Sequence, residues 1–240
     1  MKSKSRIAGL FILILMISFL FSCNKEDPSQ PIAIDIEGNV YKTIIIGTQT
    51  WMAENLKTTK YRNVDPIPNA TDQTEWNALR TGAFCNYDNL IYRAETYGRL
   101  YNNFAVSDSR NIAPVGWHVP SVEEWQILID FCGGNDIASD VLKEAGLTHW
   151  NAPNPYDTQA IQMTPRGATN ESGFTALPGG MRSNEFEYLN MNGVWWTTEV
   201  DYLAYEVKAV IISSNFSYRN VFKGSIPLRY GVSIRCIQDN

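Results

Sequence analysis

The run GWHVPSVEEW, Gly116–Trp125, spells out the start of a helix. Ser121 is a good N-cap, because its hydroxyl can accept from a free N–H of the first turn. Glu124, three residues on, can reach back to the Ser121 N–H and close a capping box. Pro120 before the cap and Trp125 at the fourth helical position make the staple arrangement. Trp125, Leu128, Ile129 and Cys132 recur at helical spacing as one apolar stripe. Gly133 and Gly134 stop the helix, since glycine takes the left-handed conformation without Cβ strain. Upstream, Gly116-Trp117-His118 is an approach loop that buries an indole beside the helix start. Loss of the Ser121 hydroxyl is expected to cost about 1 kcal/mol, and loss of the Glu124 carboxylate less.

Working outward, a second helix follows, capped by Asn135 or Asp136, with Ile137, Val141, Leu142 and Ala145 inward and Gly146 at its end. Residues 147–173 carry Pro153, Pro155 and Pro165 and read as irregular loop. Val194–Thr198, Ala204–Ser213, Phe216–Phe222 and Val232–Ile237 are rich in β-branched and aromatic residues and read as strands. Before the central helix, Ile34 and Ile36 alternate, Gly38-Asn39 turn, and Val40–Ile46 is a β-branched strand, which is a hairpin pattern. Gly47-Thr48-Gln49 turns again before Trp51-Met52. Lys57–Ala83 is a polar loop with one short helix around Thr74–Leu79, and Tyr97–Phe104 returns as a strand. Strands at both ends with helices between them predict an α+β fold of mostly antiparallel sheets, two helices and long irregular loops.

The N-terminus reads as an export signal. Lys2, Lys4 and Arg6 precede an apolar run, Ile7–Phe21, broken only by Gly9 and Ser18. That run is shorter than the roughly 20 residues a membrane span needs. Leu20-Phe21-Ser22-Cys23 resembles a bacterial lipobox, with residues 1–22 removed and a lipid on Cys23 as the membrane anchor. Residues 23–31 read as a flexible tether, and residues 32–240 as a single domain. Lys25-Glu26-Asp27 reads either as a surface-export signal or as plain solvated tether. Loss of residues 1–22 leaves 17 basic and 25 acidic residues, a net charge of −8. With no Lys/Arg run, such a surface repels phosphate backbones, so no nucleic-acid partner is expected.

Several blocks in order resemble the Fibrobacter succinogenes major paralogous domain family. They are Asp35–Leu56, Tyr97–Asn102, the Gly116–Trp125 run, Gly173–Arg182, Trp195–Glu199 and Gly231–Cys236. The family usually has a cysteine where this chain has Ala113. Such domains are similar to the C-type-lectin-like fold and to the sulfatase-modifying-factor group, and the resemblance implies that fold rather than an activity. Trp117, His118, Ser121, Glu124, Trp125, Arg182 and Arg235 lie in these blocks as structural positions.

The chemistry is sparse, and no catalytic residue, metal or cofactor is assigned. The two histidines, His118 and His149, stand without H-E-x-x-H or C-x-x-C spacing; His118 reads as a structural hydrogen-bonder. The Glu-Pro-Asn, Gln-Pro-Asp and Trp-Asn-Asp triplets of calcium-dependent lectins are missing; Trp76-Asn77-Ala78 and Trp150-Asn151-Ala152 lack the carboxylate. With Cys23 lipidated, three cysteines remain; Cys132 on the helix stripe reads as the free thiol, leaving Cys85 and Cys236 as a possible disulfide. Arg182 and Arg235 read either as anion binders or as buried ties to carboxylates and carbonyls. Seven Trp and twelve Tyr are the best functional hint. Strand neighbours face opposite ways, so Trp195 and Trp196 cannot fill one core. One of them is expected outside, or under a loop, with Tyr188, Tyr202 and Tyr205 as further ligand-binding candidates; a second small core is the alternative.

Together these features point to a lipid-anchored, surface-exposed outer-membrane protein that binds an extracellular glycan or protein without catalysis. The alternatives are an enzyme distantly akin to the sulfatase-modifying group and a purely structural surface component.

Overall fold

The computed structural model describes residues 31–152, 168–214 and 221–240. The expected leader, Cys23 with the tether up to residue 30, the three loop prolines and most of the 216–222 strand lie outside the described residues.

The fold is mixed α+β, with every strand ladder antiparallel. β1 (Ala33–Ile34) and β2 (Val40–Tyr41) form the N-terminal hairpin around Gly38, whose φ is +83°. The expected 40–46 strand breaks at Lys42, whose backbone bonds Ala53 and Glu54 instead. It resumes as β3 (Thr43–Ile46), paired with β4 (Gln49–Met52). In the polar loop, Asp72 caps α1 (Gln73–Ala78) by accepting from Glu75 N. Then come β5 (Phe84–Cys85), α2 (Ile91–Tyr97), β6 (Leu100–Tyr101) and α3 (Asn103–Val106).

Two helices are therefore too few; the described residues form five. α2 escapes the sequence because it buries only Ala94 and Tyr97 and has no side-chain cap, so no apolar stripe marks it. α3, capped by Asn102, replaces the second half of the expected Tyr97–Phe104 strand.

β7 (Trp117–His118) leads into α4 (Val122–Phe131) and α5 (Asn135–Leu142). Burying Trp125, Leu128 and Ile129 of α4 contributes about 1.5–3 kcal/mol each. α5 buries Ala138 and Leu142, while Ile137 and Ala145 are exposed. It stops at Lys143 rather than Gly146, because the chain turns extended there and bridges to Ala176. Its N-cap is Gly134, not Asn135 or Asp136.

β8 (Gly179–Arg182) and β9 (Phe186–Leu189) form a small hairpin. β10 (Asn192–Asp201), β11 (Glu206–Ser213) and β12 (Phe222–Pro227) make a three-stranded sheet. A second sheet has the order β3-β4-β13-β7, with β13 (Ile237–Gln238) pairing the start and middle of the chain. The β10–β11 sheet separates two cores. On one face Val194, Trp196, Val207 and Ala209 meet Tyr101 and Ala105. On the other, Trp195, Val210 and Ile212 meet Trp51, Trp125 and Phe174. The second core is aromatic, with Trp125 centred 4.9 Å from Trp51, 5.6 Å from Phe174 and 5.8 Å from Trp195.

Candidate functional site

The helix start forms as predicted and is then tied down from outside. Ser121 Oγ accepts from Glu124 N at 3.1 Å, and Glu124 Oε2 accepts from Ser121 N at 2.7 Å. Glu199, which ends the Trp195–Glu199 block, accepts the Val122 N–H on both oxygens at 2.9 and 3.0 Å. An anion there also complements the helix N-terminus. Glu124 Oε1 pairs with His118 Nε2 at 2.8 Å, and His118 Nδ1 with Asp239 Oδ1 at 2.7 Å. Burial lowers the His118 pKa, but its bonds to Asp239 and Glu124 outweigh this and leave it raised. Burial likewise raises Glu124, and its bonds to Ser121 and His118 outweigh that and leave it lowered. His118 therefore ties the helix start to the C-terminal end of the chain, with both ring nitrogens engaged. His149 Nδ1 meets the Glu144 carboxylate at 2.9 Å.

Arg182 and Arg235 are buried ties to carbonyls and amides. Arg182 donates to Ala70 O at 2.7 Å, Thr71 O at 3.0 Å and Gln73 Oε1 at 3.3 Å, and stacks on Trp76 and Phe186. It pins the polar loop to β8. Arg235 donates to Asn55 Oδ1 from Nε and Nη2 at 3.0 and 2.8 Å, and to Phe174 O, over the Phe174 ring. Asn55 Oδ1 also accepts the Trp195 indole N–H at 2.9 Å, so one amide joins the first quarter of the chain to two separate segments of the last.

The expected cysteine pairing does not hold. Cys85, Cys132 and Cys236 are all buried free thiols. Cys85 sits in a small core beside Arg182, and Cys236 in the core below Trp196. Packing has placed them in separate compartments, which an odd count cannot reveal. Burial pushes Cys85 and Cys132 up to about 11 and raises Cys236 as well. None has the depressed pKa of a nucleophilic thiol.

Among the aromatic candidates, the alternation of Trp195 and Trp196 holds, but the expectation that one faces outward does not. Both are 0% exposed. Trp196 donates its indole N–H to Tyr101 O at 2.7 Å. The sheet is covered on both faces, by α4 on the Trp195 side and α3 on the Trp196 side. The indoles are thus core, and the second-core alternative is the one observed. Tyr188 is partly exposed on β9 with φ +62°, away from the lining described next.

Tyr202 and Tyr205 come together at the turn between β10 and β11. Tyr202 is 70%, Leu203 96% and Tyr205 73% exposed, an apolar turn held outward by Asp201 Oδ1, which accepts from Leu203 N and Ala204 N. Beside it opens a cleft of about 410 Å³, lined by Arg80, Phe104, Tyr205, Pro227, Leu228 and Arg229. Its floor is fixed by backbone bonds: Leu228 N donates to Tyr205 O at 3.2 Å, Asn103 N to Leu228 O at 2.9 Å, and Tyr230 N to Pro227 O at 2.9 Å. Trp76 Nε1 holds Arg229 O at 2.8 Å. Sequence reasoning finds the two tyrosines but misses Arg80, Phe104 and the Pro227–Arg229 segment. Only the β11–β12 register, with Glu206 opposite Pro227, brings that segment to the turn.

Among the described residues no three His, Cys, Asp or Glu side chains gather where they could hold a metal ion, and no helix is long and apolar enough to cross a membrane. The model of the Fibrobacter succinogenes major domain matches residues 44–238. No curated protein and no solved structure matches the chain.

Proposed function

Since the chain belongs to the Fibrobacter succinogenes major domain family, we propose that it is a lipid-anchored, surface-exposed outer-membrane protein whose lectin-like domain binds an extracellular glycan or protein without catalysis. The observation that carries this reading is the Tyr202–Tyr205 turn beside the Arg80–Arg229 cleft. Exposed aromatic faces at the mouth of a mostly apolar cleft with a few polar groups are the usual make-up of a binding site. Backbone hydrogen bonds at Leu228 and Tyr230 hold the floor, which favours a site organised before a ligand arrives. The buried, high-pKa thiols count against a cysteine enzyme of the sulfatase-modifying kind.

The test is an array of surface glycans and envelope proteins probed with the wild type, Tyr202→Ala and Tyr205→Ala. Both tyrosines are exposed, so the variants should keep wild-type stability and lose binding. Binding that is unaffected by both changes would move the site elsewhere, and no binding to any member would sink the reading. Anchoring has its own test: Cys23→Ser should abolish labelled-palmitate incorporation and release the protein from membranes, and unchanged membrane association would refute the lipid anchor.

A further inference from the structure

We infer that the cleft beside the Tyr202–Tyr205 turn recognises an acidic polysaccharide, through the carboxylate of a uronic acid unit. This rests on the binding reading above and adds the ligand class. The chain is acidic overall, with a net charge of −5, yet the cleft is lined by two arginines and no carboxylate. Among the described residues neither Arg80 nor Arg229 forms an ion pair. Arg80 spends one nitrogen, Nη1, on the last carbonyls around α1, the shortest contact being 2.7 Å to Leu79 O. Among the described residues its Nε and Nη2 make no hydrogen bond and are left for a ligand. Arg229 lies over the Tyr230 ring at 5.6 Å, while Trp76 fixes its backbone carbonyl. Two guanidinium groups lining one cleft, one of them on a backbone held by Trp76, suit a planar carboxylate, which accepts paired N–H bonds.

The rest of the cleft suits a sugar ring. Phe104, Pro227 and Leu228 supply an apolar floor, and the exposed Tyr205 ring offers a flat face at its rim. A volume of about 410 Å³ lies within the usual range for small-ligand pockets. The backbone at Tyr205 sits at φ +56°, a conformation uncommon for a bulky residue and held by the Leu228 N–H bond to its carbonyl. A uronide unit would lay its apolar face on Tyr205 and present its carboxylate to Arg229 and Arg80.

The experiment uses the full-length protein and oligosaccharides of galacturonate, glucuronate and mannuronate, each beside its carboxyl-reduced counterpart of equal length, and a poly-glutamate peptide. At least one uronide should bind about tenfold or more tightly than its reduced form, and Arg229→Gln should remove about that factor. Arg229 is the primary variant, since among the described residues its side chain makes no hydrogen bond or ion pair and only lies over the Tyr230 ring; Arg80→Gln should add to the loss where its melting temperature matches wild type. Lys208→Gln, on the exposed face of β11, should leave binding unchanged. Equal binding of uronides and reduced forms would overturn the uronate assignment while leaving the general binding reading intact. An Arg229→Gln variant that keeps the preference, or a Lys208→Gln variant that loses as much, would overturn the site. Poly-glutamate binding as tightly as the uronide would replace the glycan with an acidic protein. No binding to any probe would overturn the inference, while the glycan and protein array separately decides the parent reading.

Discussion

Replacing Glu124 with alanine should destabilise the domain more than removing the Ser121 hydroxyl, the reverse of the order that the capping box alone implies. Ser121→Ala deletes one cap bond, at a cost of about 1 kcal/mol, and Glu199 still holds the Val122 N–H. Glu124→Ala deletes two charge-assisted bonds, to Ser121 N at 2.7 Å and to His118 Nε2 at 2.8 Å. Each bond to a charged group is worth about 1.5–3 kcal/mol. Both side chains of the His118 pair are partly exposed, so screening cuts the sum to about 2–3 kcal/mol. Glu124→Gln, which keeps hydrogen bonding but not charge, should fall between the two. Urea unfolding at pH 6, followed by tryptophan fluorescence, measures all three. A double cycle with His118→Ala should give a coupling of about 1 kcal/mol. A midpoint for Glu124→Ala no lower than that of Ser121→Ala, or zero coupling, would show that the His118 tie adds nothing.

Three other outcomes are expected. The folded pKa of His118 is raised above its ordinary 6.5, so its contribution is complete below pH 6.5 and lost as pH rises through the folded value; the stability of His118→Gln should not fall across that window, and an identical slope in wild type would refute the tie. Glu124 is lowered from 4.5, so its share is complete above pH 4.5 and fades as pH falls through its folded pKa, a loss that Glu124→Gln should lack in acid titrations. Trp195→Phe and Trp196→Phe should each cost about 1–3 kcal/mol, since Asn55 Oδ1 still accepts from Arg235 and Tyr101 O from Val232 N; a neutral result for either would mean that its indole is not core. Cys85, Cys132 and Cys236 should resist alkylation in the native protein and all label after denaturation without reductant, and a mass showing an intact bridge would reject the free-thiol arrangement.

What the sequence determined by itself is local. The Ser121–Glu124 box, the Trp125, Leu128, Ile129 and Cys132 stripe, the glycine stop and the α+β class all follow from contacts within a few residues, where spacing dictates geometry. The opposite orientation of Trp195 and Trp196 is local too, because it is a property of one strand. Which face of that strand meets water is not, because it depends on α3 and α4 arriving from about seventy or more residues away to cover both sides. The same holds for the cysteines, whose parity says nothing about which core each enters, and for Asp239 and Glu199, which reach the helix start only through the β13 and β10 positions. Helix α2 was hidden for the converse reason, since a short helix that buries two side chains leaves almost no periodic trace. The candidate site lay at the far end of this scale. Its tyrosines stand in one turn, but Arg80, Phe104 and Arg229 come from three other segments. Only strand register and the backbone bonds of the Pro227–Tyr230 turn set them around one cleft.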